Sequence, residues 1–288
     1  MSFLNKVAFC NRRDMRRFVP FSAGGTQYGW LTHERAAAVL AFPRVFQIES
    51  TGVALNSALT TPAARSKAIA DIAPALAATG LFPKTRGELY AVRNHWSDKP
   101  AFNIDRALNP GFGLRAYGVQ ANGIVEKRSG PHLWIGTRAK SLLVEPGKLD
   151  NMVAGGQPAS LGLMENLIKE CGEEAHITPK LARSARPTGV LSYSFESPQG
   201  LRCDTLFCYD LVVPPAFKPR ASEEISRFEL MPLPKVLKLV AGTHRFKFNV
   251  TLVIIDFAIR HGFITPDTEP AYERLVAGLH EHPQPIGG

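Results

Sequence analysis

The stretch AGGQPASLGLMENLIKECGEEAHI, which runs from Ala154 to Ile177, contains the strongest indication of how this chain folds. A strand-like approach, Met152-Val153-Ala154, leads into a Gly-Gly turn and a Pro-containing loop, and a helical window follows. At about 100° per residue, Glu170, Glu173 and Glu174 fall within one arc of roughly 100°. An adjacent arc holds the apolar side chains, which are Met164, Leu167, Ile168, Cys171 and Ala175. The stretch therefore predicts a helix that packs on one side and presents three carboxylates on the other.

The three carboxylates indicate a site for a divalent cation. Carboxylates at positions i, i+3 and i+4 repel each other and weaken an isolated helix unless a cation or a basic group lies between them. Mg²⁺ prefers oxygen ligands and is commonly held by a few carboxylates together with the phosphates of a substrate. The pattern therefore points to phosphate chemistry, with a solvated acidic helix face as the simplest alternative.

The acidic helix resembles the signature of the Nudix hydrolases, in which Arg-Glu-aliphatic-x-Glu-Glu-x-Gly-aliphatic lies on a helix. The matching residues run from Lys169 to Ile177, with Lys for Arg, Cys171 for the aliphatic residue and His176 for Gly. Gly155 stands at the glycine position of the signature, but Leu161 stands where the family has an upstream glutamate. In the family that glutamate supports the helix and loop, so the departure concerns the loop rather than the metal ligands.

A wider resemblance, to the Nudix proteins associated with thiamine pyrophosphokinase, covers most of the chain. Its segments are Tyr117-Gly118-Val119, Trp134-Ile135, Arg138-Ala139-Lys140, 146–156, Phe246-Lys247-Phe248-Asn249 and 256–262. Members of that group carry an extra N-terminal domain, and their variant signature also lacks the early glutamate. The resemblance implies an α/β fold: a Nudix-type α/β/α sandwich with a mixed sheet, preceded by a small α/β N-terminal domain. Turn formers cluster at Asn109-Pro110-Gly111, so we expect the domains to be 1–110 and 111–288.

The resemblance also implies an activity and a set of site residues. The activity is Mg²⁺-dependent hydrolysis of a diphosphate to a monophosphate, with Mn²⁺ as an alternative metal and oxidised or otherwise damaged thiamine diphosphate as a proposed substrate. The metal ligands implied are Gly155, Glu170, Glu173, Glu174 and Glu224, with Glu223 as a substitute for Glu224. Glu170 and Glu174 are the expected catalytic residues, with Glu170 as the general base. Arg138 and Lys140 are the expected phosphate contacts, and Lys169 replaces an arginine that locks a glutamate by a two-pronged salt bridge.

Net charge leaves two further functions open. The chain has 288 residues, 45% of them hydrophobic, a composition that is ordinary for a folded protein, and its formal charge of +9 is compatible with an anionic partner. Residues 1–110 carry 14 basic and 7 acidic side chains, whereas 111–288 carry 20 and 18. The densest basic run, from Asn11 to Phe18, would suit a nucleic-acid or phospholigand-binding module with an inactive hydrolase half, although no RNA-binding pattern accompanies it. The other alternative is a hydrolase of nucleoside diphosphate derivatives.

Other features bear on location and partners. The cysteines show no CxxC spacing and no secretory leader is recognisable, so we expect reduced thiols in a cytoplasmic protein. The longest apolar run, from Val250 to Ile259, is shorter than the roughly 20 residues of a membrane span and predicts a buried helix. The His280-Glu281-His282 sequence has no third ligand nearby, which disfavours a zinc site. We expect a small-molecule diphosphate as the partner, with no membrane and no nucleic acid, and a homodimer is left open.

Local patterns predict further elements. Helices are expected at Thr32–Leu40, Ala63–Leu81, Pro234–Val240 and Val250–His261, and strands at Arg44–Ile48, Leu89–Val92, Tyr117–Val119, Asn122–Val125 and His132–Ile135. The segments Val190–Phe195 and Cys203–Val213, joined through Pro198-Gln199-Gly200, predict a β-hairpin.

Overall fold

The computed structural model of this chain describes residues 2–282. In this range the helices are α1 (Phe3–Cys10), α2 (His33–Leu40), α3 (Pro62–Ala78), α4 (Leu163–Ala175), α5 (Pro179–Ala182), α6 (Leu233–Gly242), α7 (Val250–Arg260) and α8 (Tyr272–Gly278). The strands are β1 (Phe18–Ala23), β2 (Thr26–Thr32), β3 (Phe46–Glu49), β4 (Gly52–Leu55), β5 (Leu89–Val92), β6 (Phe102–Asp105), β7 (Arg115–Lys127), β8 (Gly130–Arg138), β9 (Leu149–Asp150), β10 (Val153–Gly156), β11 (Arg186–Ser197), β12 (Gly200–Val212) and β13 (Ile225–Pro232). Short 3₁₀ turns occupy Met15–Arg17 and Asn109–Phe112.

The N-terminal unit is a small α/β structure. Its four-stranded sheet has the order β2-β1-β4-β3, and β5 pairs with β6 in a separate two-stranded sheet. Threonine caps begin both of its longer helices: the Thr32 hydroxyl accepts from the Arg35 N–H, and Thr61 accepts from Ala64. Phe112 is fully buried in the phenylalanine-rich core of this unit.

The C-terminal unit is a three-layer sandwich around a seven-stranded mixed sheet. The main strand order is β11-β12-β7-β8-β13, with β10 paired to β7 and β9 paired to β8. β12 and β7 are parallel, and the other pairs are antiparallel. Helices α1, α6, α7 and α8 bury apolar side chains on one face of the sheet, and α4 and α5 on the other. This architecture confirms the predicted α/β class with a sandwich and an additional N-terminal unit.

The first helix packs on the sandwich although it lies within residues 1–110. Val7 and Cys10 of α1 are buried in the same cluster as α7, and the Lys6 ammonium donates to the Thr243 carbonyl at 2.6 Å. The chain therefore begins on the C-terminal unit and then forms the N-terminal sheet. The division at residues 110 and 111 stays a prediction.

Strand β7 shows why one local prediction was wrong. Two strands were expected, at Tyr117–Val119 and Asn122–Val125, but one strand runs unbroken through both. Gly123 lets the chain pass Met152 closely, because a Cβ at Gly123 would lie 2.1 Å from the Met152 sulfur. Asn122 and Gly123 usually form turns, but here both are held extended by pairing with Asp210 and Leu211 of β12.

The other local predictions differ from the structure by a few residues. The hairpin formed by β11 and β12 is confirmed, as are helices α2, α3, α6 and α7 and strands β3, β5 and β8. The N-terminal hairpin of β1 and β2 was not predicted from the sequence.

The alternation of side chains along β7 separates two surfaces at the centre of the sheet. Val119 belongs to the cluster under α4, whereas Leu206 of β12, the neighbour of Gly118, belongs to the cluster under α7. Since successive side chains of a strand point to opposite faces, Gly118 and Gln120 lie on the α7 face. Gly155 is the β10 partner of Val119 and lies on the α4 face.

Two further expectations concern thiols and membranes. Cys10, Cys171, Cys203 and Cys208 are all buried and free of disulfides. Burial raises the pKa of the Cys171 thiol to about 12, which keeps it protonated at neutral pH. Between residues 2 and 282 no helix combines the length and the apolar character needed to cross a membrane.

Candidate active site

Gly155 lies where strand β10 meets the acidic face of helix α4. A Cβ at this position would lie 2.3 Å from Cδ of Glu170, so only glycine allows the carboxylate to approach the strand this closely. The N–H of the neighbouring Ala154 donates to Oε2 of Glu174 at 2.8 Å. Within the described sheet β10 pairs only with β7. Glu174 is therefore bound at the outer edge of β10, and Glu170 lies beside it against the α4 face of the strand.

Like charges gather at this edge. Burial, followed by the nearby Asp150, raises the pKa of Glu174 well above its usual value, and Glu170 and Glu224 add to the effect. Burial also raises the pKa of Glu170, with Glu173 and Glu224 contributing in the same direction. Ionised carboxylates in such a place need a positive partner, because their charge is poorly solvated.

Lys169 supplies one positive partner. Its ammonium donates to Oε2 of Glu173 at 2.7 Å and to Oε1 of Glu170 at 3.1 Å. It thus contacts each glutamate through a single donor, whereas an arginine would offer a planar fork. Glu173 lies on the solvent side of this ion pair, with 59% of its side chain exposed.

The donor set has the chemistry of a hard divalent cation. Glu170, Glu174 and Glu224 supply only oxygen atoms, and Glu224 contributes to raising the pKa of both other carboxyl groups. Glu224 is exposed on the loop before β13, where its carbonyl accepts from the N–H of Ala139. In the part of the chain that the structure describes, no three ligating side chains converge on one point. A bound ion would therefore require the side chains to rearrange, and Glu170 and Glu173 would have to leave their ion pairs with Lys169.

The two predicted phosphate contacts have different surroundings. Arg138 is buried, and its Nη1 donates to Oδ2 of Asp150 at 2.7 Å, while Nε and Nη2 donate to the Val144 carbonyl at 3.2 and 3.0 Å. Its guanidinium contributes to the wall of a cavity, but these three donors already have partners. Lys140 is exposed on the loop after β8 and is not among the residues that line that cavity.

The cavity, of about 610 Å³, lies between the sheet and the N-terminal unit. One part of its wall is the β10 segment Ala154–Gly156, and the N-terminal unit contributes Arg86, Tyr90 and Arg106. A Cβ at Gly156 would lie 1.9 Å from the Tyr90 hydroxyl, so Tyr90 lies directly against the last residue of β10. Sequence reasoning missed these N-terminal residues, and the excess of basic residues before residue 110 was the only signal that pointed to them.

The basic run from Asn11 to Phe18 is largely paired within the chain. Arg13 lies 3.4 Å from Glu281, Arg16 lies 2.8 Å from Asp14, and Arg17 lies 3.0 Å from Glu196. These ion pairs reduce the positive charge that a nucleic acid would meet.

Comparison with known proteins gives strong sequence matches. Residues 2–116 match a family described as a domain of unknown function, DUF4743. The chain is 39% identical over 282 residues to Nudix hydrolase 24, chloroplastic, of Arabidopsis thaliana, covering 96% of this chain and 77% of the relative. It is 37% identical to Nudix hydrolase 20, chloroplastic, of the same plant, covering 95% and 77%. Among solved structures, DR0079 of Deinococcus radiodurans is 22% identical with a TM-score of 0.46, covering 58% of this chain and 97% of that one.

Proposed function

The chain belongs to the Nudix hydrolase family, whose members act on diphosphate-linked substrates, and we propose that its substrate is oxidised or otherwise damaged thiamine diphosphate. The reaction is hydrolysis of the diphosphate to a monophosphate. The observation that carries the proposal is the meeting of the acidic edge of β10 with the cavity wall at Gly155. None of the four proposed glutamate ligands lines the cavity, so the phosphates of a ligand would have to extend past Gly155 to reach them.

We assign the metal to Glu170, Glu173, Glu174, Glu224 and the Gly155 carbonyl, with Mg²⁺ as the ion and Mn²⁺ as a substitute. When bound, such an ion neutralises the charge that develops on the diphosphate and lowers the pKa of a water molecule.

The side chains have distinct tasks in this proposal. Glu170 is the general base, because its carboxylate lies beside Gly155 of β10, and burial raises its pKa toward the range in which a carboxylate accepts a proton well. Glu174 is held in place by the Ala154 N–H. Arg138 and Lys140 remain the proposed phosphate contacts, with Arg138 aided by its position in the cavity wall.

The role of the N-terminal unit is also part of the proposal. Arg86 and Arg106 line the cavity and would attract the negative charge of the diphosphate. Arg106 already forms an ion pair with Glu88 at 2.5 Å.

We retain 1–110 and 111–288 as the two domains, a homodimer as an open assembly state, and a cytoplasmic location as a prediction. The two plant relatives are named as chloroplastic.

The test is a substrate screen with one variant at the acidic edge and one matched control. Thiamine diphosphate, its oxidised forms and ADP-ribose are each incubated with Mg²⁺, and release of the monophosphate is measured. Glu174→Gln should lower the rate by at least about 100-fold, the upper end of the loss seen when partners of metal ligands are removed. Glu165→Gln makes the same change on an exposed part of α4 and keeps the bond to the Gly162 N–H, so its rate should match wild type.

The results of the screen distinguish the candidate substrates. Turnover of ADP-ribose without turnover of any thiamine compound would favour a nucleoside diphosphate derivative as the substrate. If no compound is hydrolysed, or if Glu174→Gln is as fast as wild type, the proposed mechanism is wrong.

A further inference from the structure

Two consecutive glycines at the end of β10 leave room for side chains on opposite faces of the strand. A Cβ at Gly155 would lie 2.3 Å from Cδ of Glu170, which approaches from the α4 side. A Cβ at Gly156 would lie 1.9 Å from the hydroxyl oxygen of Tyr90 and 2.9 Å from its Cζ. Since successive residues of a strand point to opposite faces, the tyrosine approaches from the other side. The N-terminal unit thus places a hydroxyl directly beside the strand that carries the acidic edge.

Backbone hydrogen bonds hold Tyr90 in this position. Tyr90 pairs with Ile104 in the two-stranded sheet of β5 and β6. The carbonyl of the neighbouring Leu89 accepts from the N–H of Ala159 at 2.8 Å. Ala159 belongs to the loop between β10 and α4, so β5 is bonded directly to the loop that follows Gly156. A side chain supported in this way is positioned more precisely than one on a surface loop.

The proton of the Tyr90 hydroxyl is free to be donated. Tyr90 is half-buried and lines the cavity, and none of the described residues forms a hydrogen bond with its hydroxyl. Burial, followed by the charge of Glu88, raises its pKa to about 12, so the hydroxyl keeps its proton at neutral pH. Glu88 and Asp204, the carboxylates that act on this pKa, are paired with Arg106 at 2.5 Å and Arg202 at 3.2 Å.

The hydroxyl lies beside the route from the cavity to the proposed metal ligands. The segment Ala154–Gly156 borders the cavity, whereas the four proposed glutamate ligands do not line it. The phosphates of a ligand would therefore extend past Gly155, and Tyr90 lies against the next residue of the strand. Phosphate oxygens are strong acceptors, and a phenol O–H is a suitable donor to them.

We propose that Tyr90 is a substrate-binding residue contributed by the N-terminal unit, and that its hydroxyl donates a hydrogen bond to a phosphate oxygen of the diphosphate. The inference rests on the proposed function, because the diphosphate is the substrate of that reaction. The hydroxyl transfers no proton and orients the diphosphate beside Gly155. The N-terminal unit therefore completes the active site as well as packing against it.

The test measures binding of imidodiphosphate, a diphosphate analogue with nitrogen in place of the bridging oxygen, so that it does not depend on hydrolysis. Wild type and Tyr90→Phe are titrated with this compound in the presence of Mg²⁺ and followed by calorimetry. The change removes one oxygen atom and keeps the ring. Affinity should fall about tenfold or more, which is the effect of losing a hydrogen bond to a charged group.

Tyr28→Phe is the matched control. Tyr28 belongs to β2 of the same unit, its ring packs against Phe102 at a centroid distance of 6.4 Å, and it does not line the cavity. This variant should bind imidodiphosphate as tightly as wild type. Both variants should keep melting temperatures within a few degrees of wild type, because each loses only a hydroxyl group.

Turnover provides a second readout. With any compound that wild type hydrolyses in the substrate screen, Tyr90→Phe should lower kcat/KM by about tenfold or more, and Tyr28→Phe should leave it unchanged. A role of Tyr90 in packing alone would lower the melting temperature without this selective loss.

The possible results distinguish this inference from the function. Unchanged affinity in Tyr90→Phe, an equal loss in Tyr28→Phe, or no measurable binding of imidodiphosphate to wild type would overturn the inference. Binding that depends on Tyr90, without hydrolysis of any diphosphate, would support the contact and overturn the proposed reaction. Hydrolysis by wild type with an equal kcat/KM in Tyr90→Phe would support the reaction and overturn the contact.

Discussion

Arg138 is the residue whose environment differs most from its sequence-based interpretation. A basic residue near the end of a strand was expected to contact phosphate, and its partner in the structure is the buried carboxylate of Asp150. Lys247 lies 3.5 Å from the same carboxylate. A buried ion pair adds little net stability, but removal of one partner leaves an uncompensated charge.

We expect Arg138→Met to destabilise the protein. The change leaves Asp150 with the more distant Lys247, and the free energy of unfolding should fall by about 3 kcal/mol, the lower end of the range for a broken buried pair. Lys140→Met is the matched control on the exposed loop and should change stability by less than about 0.5 kcal/mol. Urea unfolding measures both, and equal stabilities for the two variants would contradict a structural role for Arg138.

His282 is a residue whose protonation should affect stability. Its Nε2 lies 2.8 Å from the Thr205 hydroxyl. Burial, followed by the charges of Arg115 and Arg13, lowers its pKa from 6.5 to about 3. Below pH 6.5 the unfolded chain therefore binds a proton that the folded chain does not accept until the pH approaches 3. Stability is retained above this window and falls as the pH decreases through it.

His282→Gln should reduce this acid sensitivity. The variant keeps a polar group near Thr205 but has no proton to take up. Between about pH 7.5 and 5.5 wild type should lose about 1 kcal/mol more unfolding free energy than the variant, because each unit of pKa difference corresponds to about 1.4 kcal/mol. Urea titrations at the two pH values measure the difference, and parallel pH profiles would show that His282 titrates normally.

At the scale of elements, the contact between α4 and β10 places the acidic groups. The helix buries Leu167 and Cys171 against the sheet, while Glu170 extends to Gly155 and Glu174 to the Ala154 N–H. Strand β10 thus positions two carboxylates. The missing side chain of Gly155 leaves room for Glu170, and the Ala154 N–H binds Glu174.

Gly155→Ala should reduce activity more than stability. The new methyl group would overlap the Glu170 side chain, which can rotate away because its carboxylate end is flexible, but then leaves its place at the edge of β10. Monophosphate release should fall by about 10²-fold or more, the usual contribution of a positioned general base. The melting temperature should change by only a few degrees.

Gly172→Ala is the control for that prediction. This glycine lies inside the same helix, and a Cβ there would have no neighbour within 4 Å. Replacing a helix-interior glycine should raise stability by about 0.5–1 kcal/mol without loss of activity. If both variants lost activity equally, the contact between Gly155 and Glu170 would not explain the effect.

At the scale of the whole molecule, the N-terminal unit and the sandwich pack against each other. Phe18 and Trp30 of the N-terminal sheet share a buried cluster with Leu201 and Cys203 of β12. Arg35 donates to the Leu81 carbonyl in its own unit and to the Pro198 carbonyl in the turn between β11 and β12. Helix α1 also packs on the sandwich, although the N-terminal sheet follows it in the chain. The two units are therefore connected both by side-chain contacts and by the path of the backbone.

We expect the two units to unfold together, and Leu201→Ala to weaken both. Leu201 is completely buried between them, so its truncation should cost about 2–5 kcal/mol through lost contacts and a cavity. Calorimetry of wild type and the variant should each show one transition, with a lower midpoint for the variant. Leu143→Ala, at a side chain that is 82% exposed, is the control. Two separate transitions, only one of them shifted, would show that the units unfold independently.

The sequence by itself determined the elements whose signals are local. The acidic helix and the β11–β12 hairpin follow from periodicity and turn residues, because these depend on neighbours in the chain. The Gly-Gly turn predicted before the helix was wrong, because Gly155 and Gly156 end strand β10 and pair with β7. The family resemblance likewise rested on one contiguous stretch and several short segments.

Only the tertiary structure decided which distant residues meet. It placed Tyr90 on Gly156, paired Arg138 with Asp150, and brought the Asn249 amide to Tyr193, 56 residues away in the chain. Such contacts depend on the path of the whole chain and on close packing, which local propensities do not encode. The sequence therefore predicted the acidic groups of the site, whereas folding determined the cavity, which Gly155 borders.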